Sequence, residues 1–186
     1  MLGITDLKVG TFFELDSVPH QVLAAEHSKM GRGGAVLRTK VRNLLSGATY
    51  DRTFQGSDQF PDADVSRRKG QFLYADEASA TFMESETFEQ YPLNRDRLGN
   101  ALHYLKEGLE VDLILYNGSV LGVELPAKVN LVITYTEPGF KGDTQSTVTK
   151  PATLETGYEV QVPLFIKQGE TIRVSTQTGQ YVERVN

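Results

Sequence analysis

The sequence predicts an all-β protein divided into three consecutive segments, residues 1–63, 64–127 and 128–186. Short runs of apolar and β-branched residues recur along the whole chain, and turn residues separate them, which is typical of small barrels. Pro61 and Pro126 each begin a short stretch that predicts a domain boundary. Segments this short bury only about 60% of their unfolded surface. We therefore expect the three domains to support one another across their interfaces.

Composition excludes several classes of protein. Hydrophobic residues make up 39% and charged residues 23% of the chain, as in ordinary soluble domains. The net charge of −5 argues against a polycation that coats nucleic acid, and the absence of cysteine excludes disulfides and thiolate sites. The N-terminus does not resemble a signal peptide, and no apolar run approaches the ~18 residues of a membrane helix. We expect a cytoplasmic protein without membrane contact.

The first segment contains a glycine-rich stretch between two strand-like runs, residues 21–27 and 35–41. This arrangement predicts a β-hairpin with Arg32 at its tip. Glycine permits positive φ and close approach to another surface, so the guanidinium would project from a slim loop. The alternative is an ordinary flexible hairpin with a solvated arginine. The candidate loop residues are Lys29, Met30, Gly31, Arg32, Gly33 and Gly34.

Positive charge is concentrated around this hairpin. Between His27 and Arg52 there are six basic residues and one acid, a local charge of +5 in an acidic protein. Alternation predicts that Arg38, Lys40 and Arg42 share one face of a strand. One interpretation is a solvated strand face, and the other is a surface that contacts RNA phosphates.

The middle segment is acidic, with six bases and eleven acids between residues 64 and 127. Residues 71–74 and 80–83 are predicted to form paired strands. Asn117-Gly118 is the strongest short hairpin signal in the chain. Apolar spacing predicts a helix that ends at Gly108, with its core-facing side formed by Leu98, Ala101, Leu102 and Leu105.

The last segment is balanced in charge, with six bases and six acids. It contains a polar loop that begins at Glu137. The predicted strands cover residues 131–136, 158–162, 171–175 and 181–185.

Catalytic signatures are missing from the sequence. His20, His27 and His103 do not have the spacing of metal ligands, and no cysteine could complete a zinc site. The glycine stretch matches neither a phosphate-binding P-loop nor a dinucleotide-binding motif. Without a nucleophile–base pair, we expect a protein that is not an enzyme and holds neither a metal nor a cofactor.

Several motifs together carry a family resemblance. Residues 150–169, KPATLETGYEVQVPLFIKQG, fit the signature of bacterial elongation factor P at each of its fixed positions. The loop Gly142-Asp143-Thr144 and the ending at residues 179–185 are similar to the same family. The glycine hairpin resembles the family's functional loop, with Arg32 at the position of the modified residue. The resemblance covers nearly the whole chain.

The resemblance implies an SH3-like, KOW-type first barrel followed by two OB-folds in an L shape like tRNA. It implies a factor that binds the ribosome between the peptidyl-tRNA and exit sites and promotes peptide-bond formation at consecutive prolines. Its partners would be the ribosome and the peptidyl-tRNA, with the protein acting as a monomer. Gly142, Asp143 and Thr144 would lie near the exit-site codon, and Tyr181 and Arg184 would contact RNA.

The hairpin tip departs from the commonest family pattern. Many members carry a lysine preceded by Pro-Gly, whereas this chain has Met30-Gly31-Arg32. An arginine subgroup of the family is rhamnosylated on this residue. The resemblance therefore marks Arg32 as a candidate for rhamnosylation by a glycosyltransferase.

Two alternatives stay open. The first is a general single-stranded RNA-binding module built on OB-folds, which would stack bases on aromatic side chains beside a basic groove. The second is the elongation factor P-like paralog, which also carries arginine near this tip. Gly142-Asp143-Thr144 favours the main factor over the paralog.

Overall fold

The computed structural model describes residues 1–29, 34–139 and 149–186. This part of the chain is all-β with one short helix, which confirms the predicted class. The sheets are curled, and each is formed by strands from one region of the chain. The strands of the first region are β1 (Leu2–Gly3), β2 (Phe12–Leu15), β3 (Val18–Lys29), β4 (Ala35–Asn43), β5 (Thr49–Gln55) and β6 (Gln59–Phe60).

The first sheet has the order β2-β3-β4-β5, with every pair antiparallel, and β1 pairs separately with β6. Its core is built around Phe13, whose ring lies edge-on to Phe54 and Phe60 at centroid distances of 5.9 and 5.3 Å. Leu37 and Val41 on β4 are fully buried against this group. Alternation along β4 therefore sends one set of side chains into the core and the other outward.

The middle region forms a sheet with the order β11-β10-β7-β8-β9. The two strands predicted to pair do so, with Phe72 opposite Phe82. Asn117 and Gly118 both have positive φ, 49° and 78°, as a two-residue hairpin of the predicted kind requires. The strands are β7 (Val65–Ala75), β8 (Ser79–Glu84), β9 (Gln90–Asn94), β10 (Glu110–Tyr116) and β11 (Ser119–Glu124).

The predicted helix ending at Gly108 is wrong in its extent. Helix α1 covers only Arg95–Leu98, and a 3₁₀ turn follows over Gly99–His103. The Asn94 side chain caps the helix by accepting a hydrogen bond from the Asp96 amide. Gly99 has a φ of 50°, which ends the α-helix because helical residues require negative φ. Leu98 and Leu105 are buried as expected.

The last sheet has the order β14-β13-β12-β15-β16, and two predicted strands, 171–175 and 181–185, are confirmed residue for residue. Its core contains fully buried Leu131, Ile133 and Ile172. The strands are β12 (Lys128–Thr136), β13 (Thr149–Leu154), β14 (Glu159–Pro163), β15 (Thr171–Ser175) and β16 (Tyr181–Val185).

Side chains from the first and middle sheets form one apolar cluster. Phe12 and Leu44 come from the first region and pack with Ile114 and Leu121 from the middle sheet. Gly47 approaches the helix so closely that a Cβ there would lie 2.9 Å from the Arg97 Cα. This cluster supports the expectation that the small domains stabilise one another.

Candidate nucleic-acid interface

The predicted hairpin is formed by β3 and β4, which pair from His20–Asn43 to Lys29–Ala35. Its tip, including Met30, Gly31, Arg32 and Gly33, lies outside the described residues. Strand β5 stops earlier, because its last residue, Gln55, pairs with Val36. Within the described residues, the ribbon formed by β3 and β4 (the β3–β4 ribbon) therefore reaches one residue pair, Lys29 and Ala35, beyond β5.

Glycines shape the base of this ribbon. Gly34 has a φ of 81°, a conformation that other residues rarely adopt. Gly56, after β5, lies against Ala35, and a Cβ at Gly56 would come within 3.2 Å of the Ala35 carbonyl oxygen. The backbone after β5 thus supports the second strand of the hairpin where that strand leaves the tip.

The three predicted RNA-binding residues share the outward face of β4. Arg38 and Lys40 are exposed, and they alternate with buried Leu37 and Thr39. Arg42 is on the same face but is half-buried at the junction with the middle sheet. Two cations on this face are therefore open to a macromolecule, and the third lies in a cleft.

The basic residues that give the local charge of +5 lie on both faces of the sheet, and neighbouring acids offset part of their charge. Arg52 pairs with Thr39, which points inward, so Arg52 is on the other face from Arg38. Glu26 and Asp51 lie directly across from Arg38 and Lys40 in the register. Such cross-strand pairs of opposite charge weaken the outward field. The accessible basic surface is smaller than the count along the chain suggests.

The loop Gly142-Asp143-Thr144 lies outside the described residues, and hydrogen bonds join the segments on either side of it. Lys150 is buried at 8% exposure, and its ammonium donates to the Glu137 carbonyl at 2.6 Å. The Thr136 hydroxyl donates to the Pro151 carbonyl at 2.8 Å. Lys150 lies in the motif of residues 150–169, but its structural role does not follow from the motif because its partner, Glu137, lies outside it.

The two predicted C-terminal contact residues have different surroundings. Tyr181 is half-buried and packs against the core of the last sheet. Arg184 is exposed on β16 and forms a long ion pair with Glu170 at 3.4 Å. Arg184 is therefore the more available of the two, since exposed ion pairs contribute little and exchange partners easily.

Sequence reasoning missed the polar contacts that join the first two regions. The Gln21 side chain donates to Glu124 at 2.6 Å, and Arg67 donates to the same carboxylate at 2.9 and 3.3 Å. This bond raises the pKa of Arg67. Tyr116 donates to Glu14 at 3.0 Å. No local pattern could reveal partners that lie so far apart along the chain.

Two other findings concern the part of the chain that the structure describes. It contains no cluster of three or more His, Cys, Asp or Glu side chains arranged to hold a metal ion. It also contains no helix that is long and apolar enough to cross a membrane.

Family models match the chain in three consecutive parts. Residues 4–60 match the KOW-like domain of elongation factor P, residues 65–123 match its OB domain, and residues 129–184 match its C-terminal domain. These matches agree with the curled sheets and confirm KOW-like and OB identities for the first two.

Full-length bacterial relatives are similar over the whole chain. Elongation factor P of Acetivibrio thermocellus is 46% identical over 185 residues, covering 100% of both chains. That of Symbiobacterium thermophilum is 47% identical over 184 residues, covering 99% of this chain and 100% of the relative. A solved structure of eukaryotic translation initiation factor 5A from Methanococcus jannaschii aligns with 67% of this chain and 92% of its own, at 24% identity and a TM-score of 0.43. Three consecutive domain matches and identity of this extent place the chain in the elongation factor P family.

Proposed function

We propose that the protein binds the ribosome between the peptidyl-tRNA and exit sites and promotes peptide-bond formation at consecutive prolines. It would do so by positioning the peptidyl-tRNA, and the ribosome would supply catalysis. Family membership is the basis for the ribosome and the tRNA as partners. The protein would act as a cytoplasmic monomer and would itself catalyse no reaction.

The β3–β4 ribbon is the observation that carries the proposal. Its last described pair, Lys29 and Ala35, lies one residue beyond the end of β5 and directly flanks the glycine-rich stretch. Glycines at the tip would keep the loop slim enough to enter a cavity walled by RNA. Arg38 and Lys40 are exposed on β4 and would contact phosphates.

The chemistry of proline makes such help useful. Its ring fixes φ and makes the reacting nitrogen secondary, so productive geometry is hard to reach. Holding the reactants in place removes an entropic part of the barrier. A cation at the tip, Arg32, would order the tRNA end beside the reaction centre, with Met30 and the glycines forming the rest of the loop and Lys29 at the end of β3.

We also propose that Arg32 is the residue that a glycosyltransferase modifies, with rhamnose as the sugar. A guanidinium offers several donors in a planar fork, and a sugar would extend its reach into the cavity. The loop Gly142-Asp143-Thr144 would lie near the exit-site codon, with Tyr181 and Arg184 contributing RNA contacts on the same domain.

Replacement of Arg32 tests whether the hairpin tip is the functional end of the protein. Arg32→Ala and Arg32→Lys should fold normally and still bind ribosomes, because the exposed strand cations and the third domain are unchanged. Both should fail to relieve stalling on a reporter that contains Pro-Pro-Pro. A matched reporter without prolines is the control and should be translated equally with every variant. Wild-type rescue by Arg32→Ala at saturating concentration would disprove the role of the tip.

Ribosome sedimentation in the presence of excess free RNA separates this function from general RNA binding. A ribosome-specific factor should remain with the ribosomes, whereas a general single-strand binder should be displaced.

Intact mass of the protein isolated from its native cell would show whether Arg32 carries a sugar.

A further inference from the structure

A cleft of about 590 Å³ lies where the three regions of the chain meet. Gln21 and Arg42 reach it from the first sheet, Leu98 and Asn100 from the middle region, and Gln177 from the last region. This volume falls within the range of small-ligand sites, and such sites favour domain junctions. The mixture of apolar walls and a few polar groups is also typical of them.

Arg42 supplies the positive charge of this cleft. It is half-buried, its burial lowers its pKa, and it takes part in none of the ion pairs formed among the described residues. Desolvating a guanidinium without a partner costs free energy. A bound anion would recover that cost, and a planar fork of donors suits phosphate oxygens especially well.

The acid in the cleft does not oppose this assignment. Glu124 also lines it, but its carboxylate is already bound by Arg67 and Gln21. Because Arg67 neutralises Glu124, the charge of Arg42 makes the site positive overall. The amides of Asn100 and Gln177 are on exposed residues of the same cleft, and each could donate to a phosphate oxygen.

We infer that this cleft binds a phosphate group and that Arg42 anchors it. Arg42 is on the same face of β4 as Arg38 and Lys40, but it lies in the cleft, whereas they are exposed. Two sources share the chemistry: a free phosphorylated small molecule, or a phosphodiester of bound RNA. The inference does not depend on the proposed role at proline stalls, since the isolated chain carries every residue of the site.

Titration of the full chain tests the inference directly. The probes are inorganic pyrophosphate and a single-stranded RNA tetramer without terminal phosphates, followed by NMR through the side-chain amides of Gln21, Asn100 and Gln177. We expect saturable shifts with at least one probe. The tighter probe identifies the source: pyrophosphate indicates a free phosphate ligand, and the tetramer indicates an RNA phosphodiester.

Matched variants assign the site to Arg42. Arg42→Gln should weaken binding about tenfold or more, as expected for loss of a charge-assisted hydrogen bond. Arg52→Gln removes the same charge from the other face of the sheet and should leave the affinity unchanged. Gln177→Glu places a negative charge on an exposed cleft residue, so it should weaken binding without risk to the fold.

Two results would overturn the inference. One is the absence of saturable shifts with both probes. The other is an affinity that stays the same in Arg42→Gln and Gln177→Glu. Because these measurements use no ribosome, they are independent of the reporter assay for Arg32.

Discussion

The imidazole of His103 stacks on the ring of Tyr158, with centroids 4.3 Å apart and an angle of 7° between the planes. The stack joins the 3₁₀ turn after α1 to the turn between β13 and β14. The Thr156 hydroxyl adds a hydrogen bond to the His103 carbonyl at 2.6 Å. Tyr104, the next residue, is buried among the core side chains of the last sheet. Contacts of His103 and Tyr104 thus connect the middle region to the last region.

Removing this stack should loosen the contact between the two regions. His103→Ala is expected to lower the free energy of unfolding by about 1 kcal/mol, the usual worth of an aromatic pair. His103→Phe keeps a ring at this position and serves as the matched control. Urea denaturation measures both, and hydrogen exchange should rise in residues 153–159 of the alanine variant. Equal stability of the alanine and phenylalanine variants would contradict the prediction.

Stability should fall as the pH decreases below neutral, because of His20. This residue is 2% exposed, donates to the Val18 carbonyl at 2.8 Å and contacts the Tyr50 hydroxyl. Burial lowers its pKa below the ordinary 6.5 and outweighs the hydrogen bond to the Val18 carbonyl, which favours the protonated imidazole. The unfolded chain therefore binds the proton first as the pH falls. Stability is complete above pH about 6.5 and decreases below it, by at most about 1.4 kcal/mol per pH unit.

Comparison with a variant isolates the contribution of His20. His20→Gln cannot gain this proton, so its stability should change less than that of the wild type between pH 7.5 and 5.5. Urea denaturation at several pH values gives the two slopes. Parallel slopes would show that His20 does not titrate differently in the folded and unfolded states.

Charge reversal on β4 should weaken ribosome binding. Arg38→Glu with Lys40→Glu removes two exposed cations, so the affinity should fall and its dependence on salt should become flatter. The Debye length at physiological salt is about 8 Å, so distant acids of the middle sheet do not cancel this face. Lys69→Glu with Lys128→Glu reverses the same charge elsewhere and is the control. An unchanged salt slope in the β4 variant would identify a solvated face without RNA contacts.

Asp143→Ala should reduce rescue of proline-rich reporters with little loss of stability. A carboxylate can accept hydrogen bonds from bases, and alanine cannot. The alternative is that Asp143 only stabilises a turn, as aspartate commonly does. Thermal denaturation and the reporter assay together distinguish the two. Full rescue by the alanine variant would exclude the codon-side role.

Much of the fold could be predicted from local pattern. The bounds of β15 and β16 were predicted residue for residue, and in β15 buried Ile172 and Val174 alternate with residues that are partly exposed. Asn117-Gly118 specified its own hairpin, since both residues tolerate positive φ. The hairpin around Arg32 was also predictable, because two strand-like runs lie on either side of a glycine-rich stretch.

The helix shows where local pattern misleads. Leu98, Ala101 and Leu105 have the spacing of a helical face, and they do point toward apolar surroundings. That spacing could not show that Gly99 takes a φ of 50° and ends the helix after one turn. Tyr104 then packs into the core of the last sheet, and such a distant contact is not visible in a window of a few residues.

The class of fold, the strands, the hairpin and the family resemblance follow from the amino-acid sequence, because they depend on residues close together along the chain or on a continuous motif. The placement of charge follows from the three-dimensional arrangement instead. That arrangement puts Arg52 on the other face from Arg38, Glu26 opposite Arg38, and half-buried Arg42 in a cleft. It also joins Gln21 to Glu124. Electrostatic interactions depend on distance in space and on exposure to water, and neither quantity follows from separation along the chain.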